Sequence, residues 1–239
     1  MASVVNLPAF PECNHSLIQS LHHLSDAELV SLFKRYPDQG RYFTAIFCRY
    51  SGIVYSLIRH SARSPVQADY LFALTWQHIL HELSGIDSFQ PEALNHRPFN
   101  LQEWLINMTA FCINQVVLPE VEAIHYSLAK ASPPFWCYLE QGMNQLAPLE
   151  RLILIMAHTF RWSETRIVAY LQAEGEHFSL EDIKLRLKQA THHLIEALPQ
   201  DIRSLYLPQL AQEANSDGAD EWLDVPPWHS HATPSLSGV

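Results

Sequence analysis

The chain has 239 residues, 48% of them hydrophobic and 17% charged, so it has the material for a real core and is not a disordered polymer. Fifteen Lys and Arg against 25 Asp and Glu give a formal net charge of −10, which excludes a protein that coats nucleic acid by bulk charge and leaves room for a local basic helix. With 7 Gly and 15 Pro, the composition suits helices punctuated by prolines and offers little for Gly-rich phosphate loops.

In chain order, residues 1–24 read as a leader with a short amphipathic piece at Leu17, Ile18, Leu21 and Leu24. Ser25-Asp26-Ala27-Glu28 is a capping box, and the helix it opens carries Leu29, Leu32, Phe33 and Tyr36 on one face. Pro37 to Gly40 breaks it. Phe43, Ile46, Phe47, Tyr50, Ile53, Val54, Leu57 and Ile58 then recur with helical period. Ser64-Pro65 opens a third helix with the stripe Ala68, Leu71, Phe72, Thr75 and Ile79. Gly85 to Pro98 is a loop, and Asn100 caps a fourth helix that buries Leu101, Trp104, Leu105, Met108, Phe111 and Cys112 and ends before Pro119.

Residues 119–145 are less regular, with a break at Ser132-Pro133-Pro134 that reads as a domain boundary. Leu149 to Phe160 is an apolar helix. Ser163 caps a short one with Ile167, Val168 and Leu171. A turn containing Gly175 follows, and Ser179 starts a long helix with Ile183, Leu187, Ala190, Leu194 and Leu198 inward, closed by Pro199. From about Ala214 the composition is that of a disordered tail. No strand pattern and no repeat appears. The expectation is an all-α chain: a leader at 1–24, a helical domain at 25–118, a linker at 119–145, a second helical domain at 146–210 and a tail at 211–239.

Cys13, Cys48, Cys112 and Cys137 are widely spaced and form no Cys-x-x-Cys, which predicts reduced, mostly buried thiols in a cytoplasmic protein. The longest strongly apolar run, Leu152 to Ala157, is far too short for a membrane span, so no membrane partner is expected. Fourteen histidines invite a metal reading, and His78 and His81 stand i, i+3. But no His-Glu-x-x-His occurs, and His22-His23 and His192-His193 are adjacent and diverge on a helix, so no metal and no cofactor is expected. No nucleophile, base and orienting group can be named together, so the chain is not expected to be an enzyme.

The second half carries the clearer signal. Helix, short helix, turn and longer helix is the order of a helix-turn-helix, whose second helix enters the major groove by its N-terminal half. Lys184, Arg186 and Lys188 fall in that half, suited to phosphate contact or equally to a solvated helix face. The turn, Gln172 to Phe178, is longer than usual. Trp222-Leu223-Asp224-Val225-Pro226-Pro227-Trp228 in the tail reads as a short docking motif or as a plain end with two tryptophans.

Taken together, these segments resemble the bacterial RNA polymerase sigma factors of the small, extracytoplasmic-function type. Leu24 to Phe33 is similar to the opening segment of their region two. Phe43 to Tyr50, with Val54, is similar to its Phe-x-x-Leu-x-x-x-Tyr helix, and Gln67 to Trp76 to the helix that grips the polymerase clamp. Trp104-Leu105 matches the Trp-Leu before the promoter-melting helix. Leu146 to Leu154, Trp162 to Leu171 and Ser179 to Leu198 resemble region four and its recognition helix. The resemblance spans about 24–118 and 146–198.

It implies two helical domains, core RNA polymerase and promoter DNA as partners, and no catalysis. The polymerase would be bound through Asp69, Leu71, Phe72 and Trp76. The −35 element would be bound through Ser179, Lys184, Arg186 and Lys188. An anti-sigma or other regulatory protein stays open as a further partner. Several positions depart from the family. Phe72 and Ala73 stand where it has Gln and Glu, Cys112 to Leu118 is uncharged where it is basic, and Asp182 and Gln189 replace a Thr and an Arg. These departures leave a second reading: a degenerate sigma-fold regulator or adaptor that acts through protein contacts without promoter recognition.

Overall fold

The computed structural model describes residues 9–86, 99–124 and 126–213, which are helical and contain no strand. A 3-10 turn, Pro11–Asn14, leads to α1 (Ser16–Gln19), α2 (Asp26–Arg35), α3 (Arg41–Ser61), α4 (Pro65–Gly85) and α5 (Leu101–Gln115). After a second 3-10 turn, Val121–Ala123, come α6 (Pro133–Gln145) and α7 (Pro148–Leu154), which runs into a π turn at Ile155–Thr159. The series closes with α8 (Glu164–Ala173), α9 (Leu180–Ala197) and α10 (Gln200–Glu213). The loop expected at Gly85 to Pro98 and the tail beyond Glu213 lie outside the described residues, apart from the loop's first two positions.

Side-chain caps fix the starts of these helices. Ser25 and Glu28 form the expected capping box on α2. The Ser64 hydroxyl accepts from the Gln67 amide at 3.1 Å, and the Asn100 carbonyl oxygen from the Glu103 amide at 3.1 Å. Each oxygen satisfies an N–H that the helix itself leaves without a partner. α3 is different: its N-cap is Gly40, which has no side chain to offer. The Asp201 carboxylate of α10 takes that role, accepting from the amides of Gly40 at 3.1 Å and Arg41 at 2.9 Å. α10 therefore caps a helix 160 residues earlier, where a carboxylate also suits the positive end of the α3 dipole.

α4 lies at the centre, packed against α3, α5 and α6. Its apolar face is wide, with Ala68, Leu71, Phe72, Ala73, Trp76, Ile79, Leu80 and Leu83 all buried, while Gln77, His78, His81 and Glu82 line its less buried side. Phe47 meets the Trp76 ring edge-on at 5.0 Å, and Tyr55 meets Phe72 at 5.1 Å. One continuous core runs from Phe10 to Tyr206, and it takes in Phe135, Cys137 and Leu139 of α6 and Leu194 of α9.

The expected linker is thus corrected. Pro133 and Pro134 occupy the first turn of α6, where proline's missing N–H and fixed φ suit a helix start, and the helix they open is buried. The main core continues across the break expected at 132. Gly142 explains the close crossing of α6 and α9: a Cβ there would stand 3.0 Å from Leu194 Cδ1. A smaller cluster, Ile153, Met156, Ile167, Leu171 and Ile183, ties α7, α8 and the first half of α9, and Leu187 packs against both cores.

The expectation of four reduced thiols is also corrected. Cys13 and Cys48 are disulfide-bonded across 35 residues of sequence, with Cα atoms 5.4 Å apart, because the first 3-10 turn lies against α3. Cys112 and Cys137 are buried free thiols. No described helix is long and apolar enough to cross a membrane.

Candidate nucleic-acid and partner surfaces

The four α9 residues singled out for DNA stand at the start of that helix. Ser179 is its N-cap: the hydroxyl accepts from the Asp182 amide at 3.1 Å and donates to the Asp182 carboxylate at 2.6 Å, and the Ser179 amide donates to the same oxygen at 2.9 Å. Those bonds hold the Asp182 carboxyl below its ordinary range. Lys184 is exposed and reaches the Glu181 carboxylate at 3.4 Å, a solvated pair of small energetic weight. Arg186 lies with its guanidinium 4.6 Å from the Phe178 ring centre, which pins the long turn against the helix. Lys188 is exposed one turn beyond Lys184.

The α7–α8–α9 cluster therefore presents Lys184 and Lys188 to solvent at the end that a recognition helix would use. The same end carries Glu174, Glu176, Glu181 and Asp182, four carboxylates against three cations between 174 and 188. Its field is mixed, not basic.

α8 adds an arrangement that motif matching did not single out. Arg166 stacks over Trp162 at 4.3 Å, and Trp162 lies 5.8 Å from Phe160 and 5.6 Å from Tyr170. Phe160 and Tyr170 are exposed. The signal was available as aromatic residues at 162 and 170 flanking an arginine at 166, one helical turn from each.

The residues singled out for polymerase sit elsewhere. Leu71 is 3% exposed, and Phe72 and Trp76 are fully enclosed. These three are core residues, and with α6 laid on α4 no partner surface reaches them in this state. Asp69 is half-buried and accepts from the Tyr55 hydroxyl at 2.8 Å; burial pushes its carboxyl up, and that bond works against the rise. Ile53 and Leu57 on α3 and Ile106 on α5 are exposed apolar residues of this part, as are Tyr36, Phe99 and Val117 outside its helices. Phe111 of α5 stacks on His78 at 5.4 Å and joins Trp104 in partial burial. α5 carries no Lys or Arg.

Among the described residues no three His, Cys, Asp or Glu side chains converge as a metal site. His193 bonds Glu150 at 2.8 Å, and His192 meets Glu196 at 3.2 Å. No family model, no curated protein and no solved structure matches this chain.

Proposed function

We propose that the chain is a sigma-like transcription initiation factor that binds core RNA polymerase and directs it to promoter DNA, without catalysis of its own. The observation that supports this most is the α7–α8–α9 unit: a small helical cluster with its own core, in helix-turn-helix order, with Lys184 and Lys188 exposed on the first half of its last helix. The order of sigma-like segments along residues 24–118 and 146–198 supports the same reading. With few cations and a net charge of −10, such a factor would read DNA inside a complex and bind it poorly alone. Polymerase would meet the exposed strip of α3 at Ile53 and Leu57, or α4 after α6 has moved.

A second reading, an adaptor that kept the fold and lost promoter recognition, draws on two observations: the enclosure of α4 and the carboxylates at the head of α9. Run-off transcription with bacterial core polymerase separates the two. Under the first reading the wild-type chain yields discrete transcripts, and the combined K184A, R186A and K188A variant loses them while still binding polymerase. An adaptor binds its protein partner equally well with and without those three changes and gives no transcript.

A further inference from the structure

We propose that Cys13 and Cys48 form a reversible thiol/disulfide site, reduced by a dithiol, that controls how firmly the N-terminal strap and the last helix are held on the body. The inference stands whether or not the chain binds polymerase.

The strap, residues 10–21, crosses the molecule at a junction. Phe10 packs between Phe47 of α3, at 4.8 Å, and Phe72 of α4, at 6.5 Å. Two residues on, Glu12 is 2% exposed and accepts a hydrogen bond from the Tyr206 hydroxyl of α10 at 3.1 Å. Tyr206 in turn accepts from the Ser132 hydroxyl at 3.3 Å and stacks on Phe135 of α6 at 4.8 Å. Cys13, the neighbour of Glu12, is bonded to Cys48 of α3. One covalent bond to α3 thus fixes the strap beside a buried carboxyl that is bonded to α10, whose Tyr206 stacks on α6.

Placement favours exchange at this bond. Both cysteines are only half-buried, so a reductant reaches them, whereas Cys112 and Cys137 are enclosed. Burial raises the Cys112 thiol to about 11 and pushes Cys137 up as well, so neither supplies a competing thiolate. The exchange balances with a dithiol: one of its thiolates attacks a cysteine sulfur, the Cys13–Cys48 bond breaks and a mixed disulfide forms. The second thiol displaces it, leaving an oxidised reductant and two protein thiols, with two electrons and two protons transferred. Once the disulfide is lost, the strap holds by non-covalent contacts such as those of Phe10, Glu12, Leu17, Ile18 and Leu21, and its opening leaves Tyr206 without the Glu12 bond.

The test is amide hydrogen exchange on the full chain, as purified in air and after dithiothreitol, with alkylation mass spectrometry under native conditions. Before reduction Cys13 and Cys48 resist alkylation; afterwards both react. Exchange in residues 10–21 and 200–207 rises at least about tenfold while 153–187 keeps its protection, and oxidised glutathione reverses the change. The combined C13S and C48S variant shows the reduced pattern without reductant. The proposal is overturned if both cysteines alkylate in the air-purified protein, if exchange does not respond to reduction, or if reduction unfolds the whole chain, which would make the bond purely structural.

Discussion

Gly40 stands where three elements meet. A Cβ there would lie 2.4 Å from the Ile202 side chain and 2.8 Å from the Tyr138 ring, so G40A must push α10 or α6 away. The expected loss is about 1–3 kcal/mol, read as a lower midpoint in urea unfolding. Gly52, also in α3, faces open space, and G52A is expected to gain roughly 0.5–1 kcal/mol in the same assay. Equal effects would deny that α10 seats against α3. Glu12 makes a second claim at this scale. Burial pushes its carboxyl above the ordinary 4.5, and the bonds from Ser132 and Tyr206 only oppose that rise. Burial raises Asp69 and Glu140 likewise. Between 4.5 and the raised value the folded chain holds a proton on Glu12 that the unfolded chain has lost, so stability falls as pH climbs through that window. E12Q removes this part of the slope and gains on wild type from pH 5 to pH 8. Thermal unfolding at the two pH values checks it, and an unchanged gap between wild type and variant would contradict it.

The caps on α2, α4, α5, α8 and α9 were all legible, because a Ser or Asn before an apolar periodicity meets a need that every helix has. The helices not foreseen were α6 and α10. Each begins at or just after proline, and proline reads equally as a break or as a first turn. Ile202, Leu205 and Tyr206 do show the 3.6 period, but Asp201 capping α3 is invisible without the fold. For α9, S179A removes the capping box and should cost about 1 kcal/mol. By contrast, K184A and K188A change only exposed charges and should leave stability within about 0.5 kcal/mol. Denaturant melts of the three variants check both expectations. A transcription defect in K184A or K188A would then be a binding defect and not a folding one.

At the scale of the molecule, one core gathers the first and the last of the described helices, and α4 is its axis. The resemblance placed polymerase contacts on that axis, at Leu71, Phe72 and Trp76. The helical period argued differently there: Leu71, Phe72 and Trp76 fall on the wide apolar face of α4 with Ala68, Ile79 and Leu83, and such a face turns to the core. The disulfide was illegible for a similar reason, since a 35-residue gap says nothing of a 5.4 Å approach. The central claim is that this body is a polymerase-binding initiation factor. Its most direct test is co-elution of the purified full chain with bacterial core RNA polymerase in size-exclusion chromatography, with reductant absent and present. A one-to-one complex in either state is the expected result. Separate elution at micromolar concentrations in both states would contradict the account.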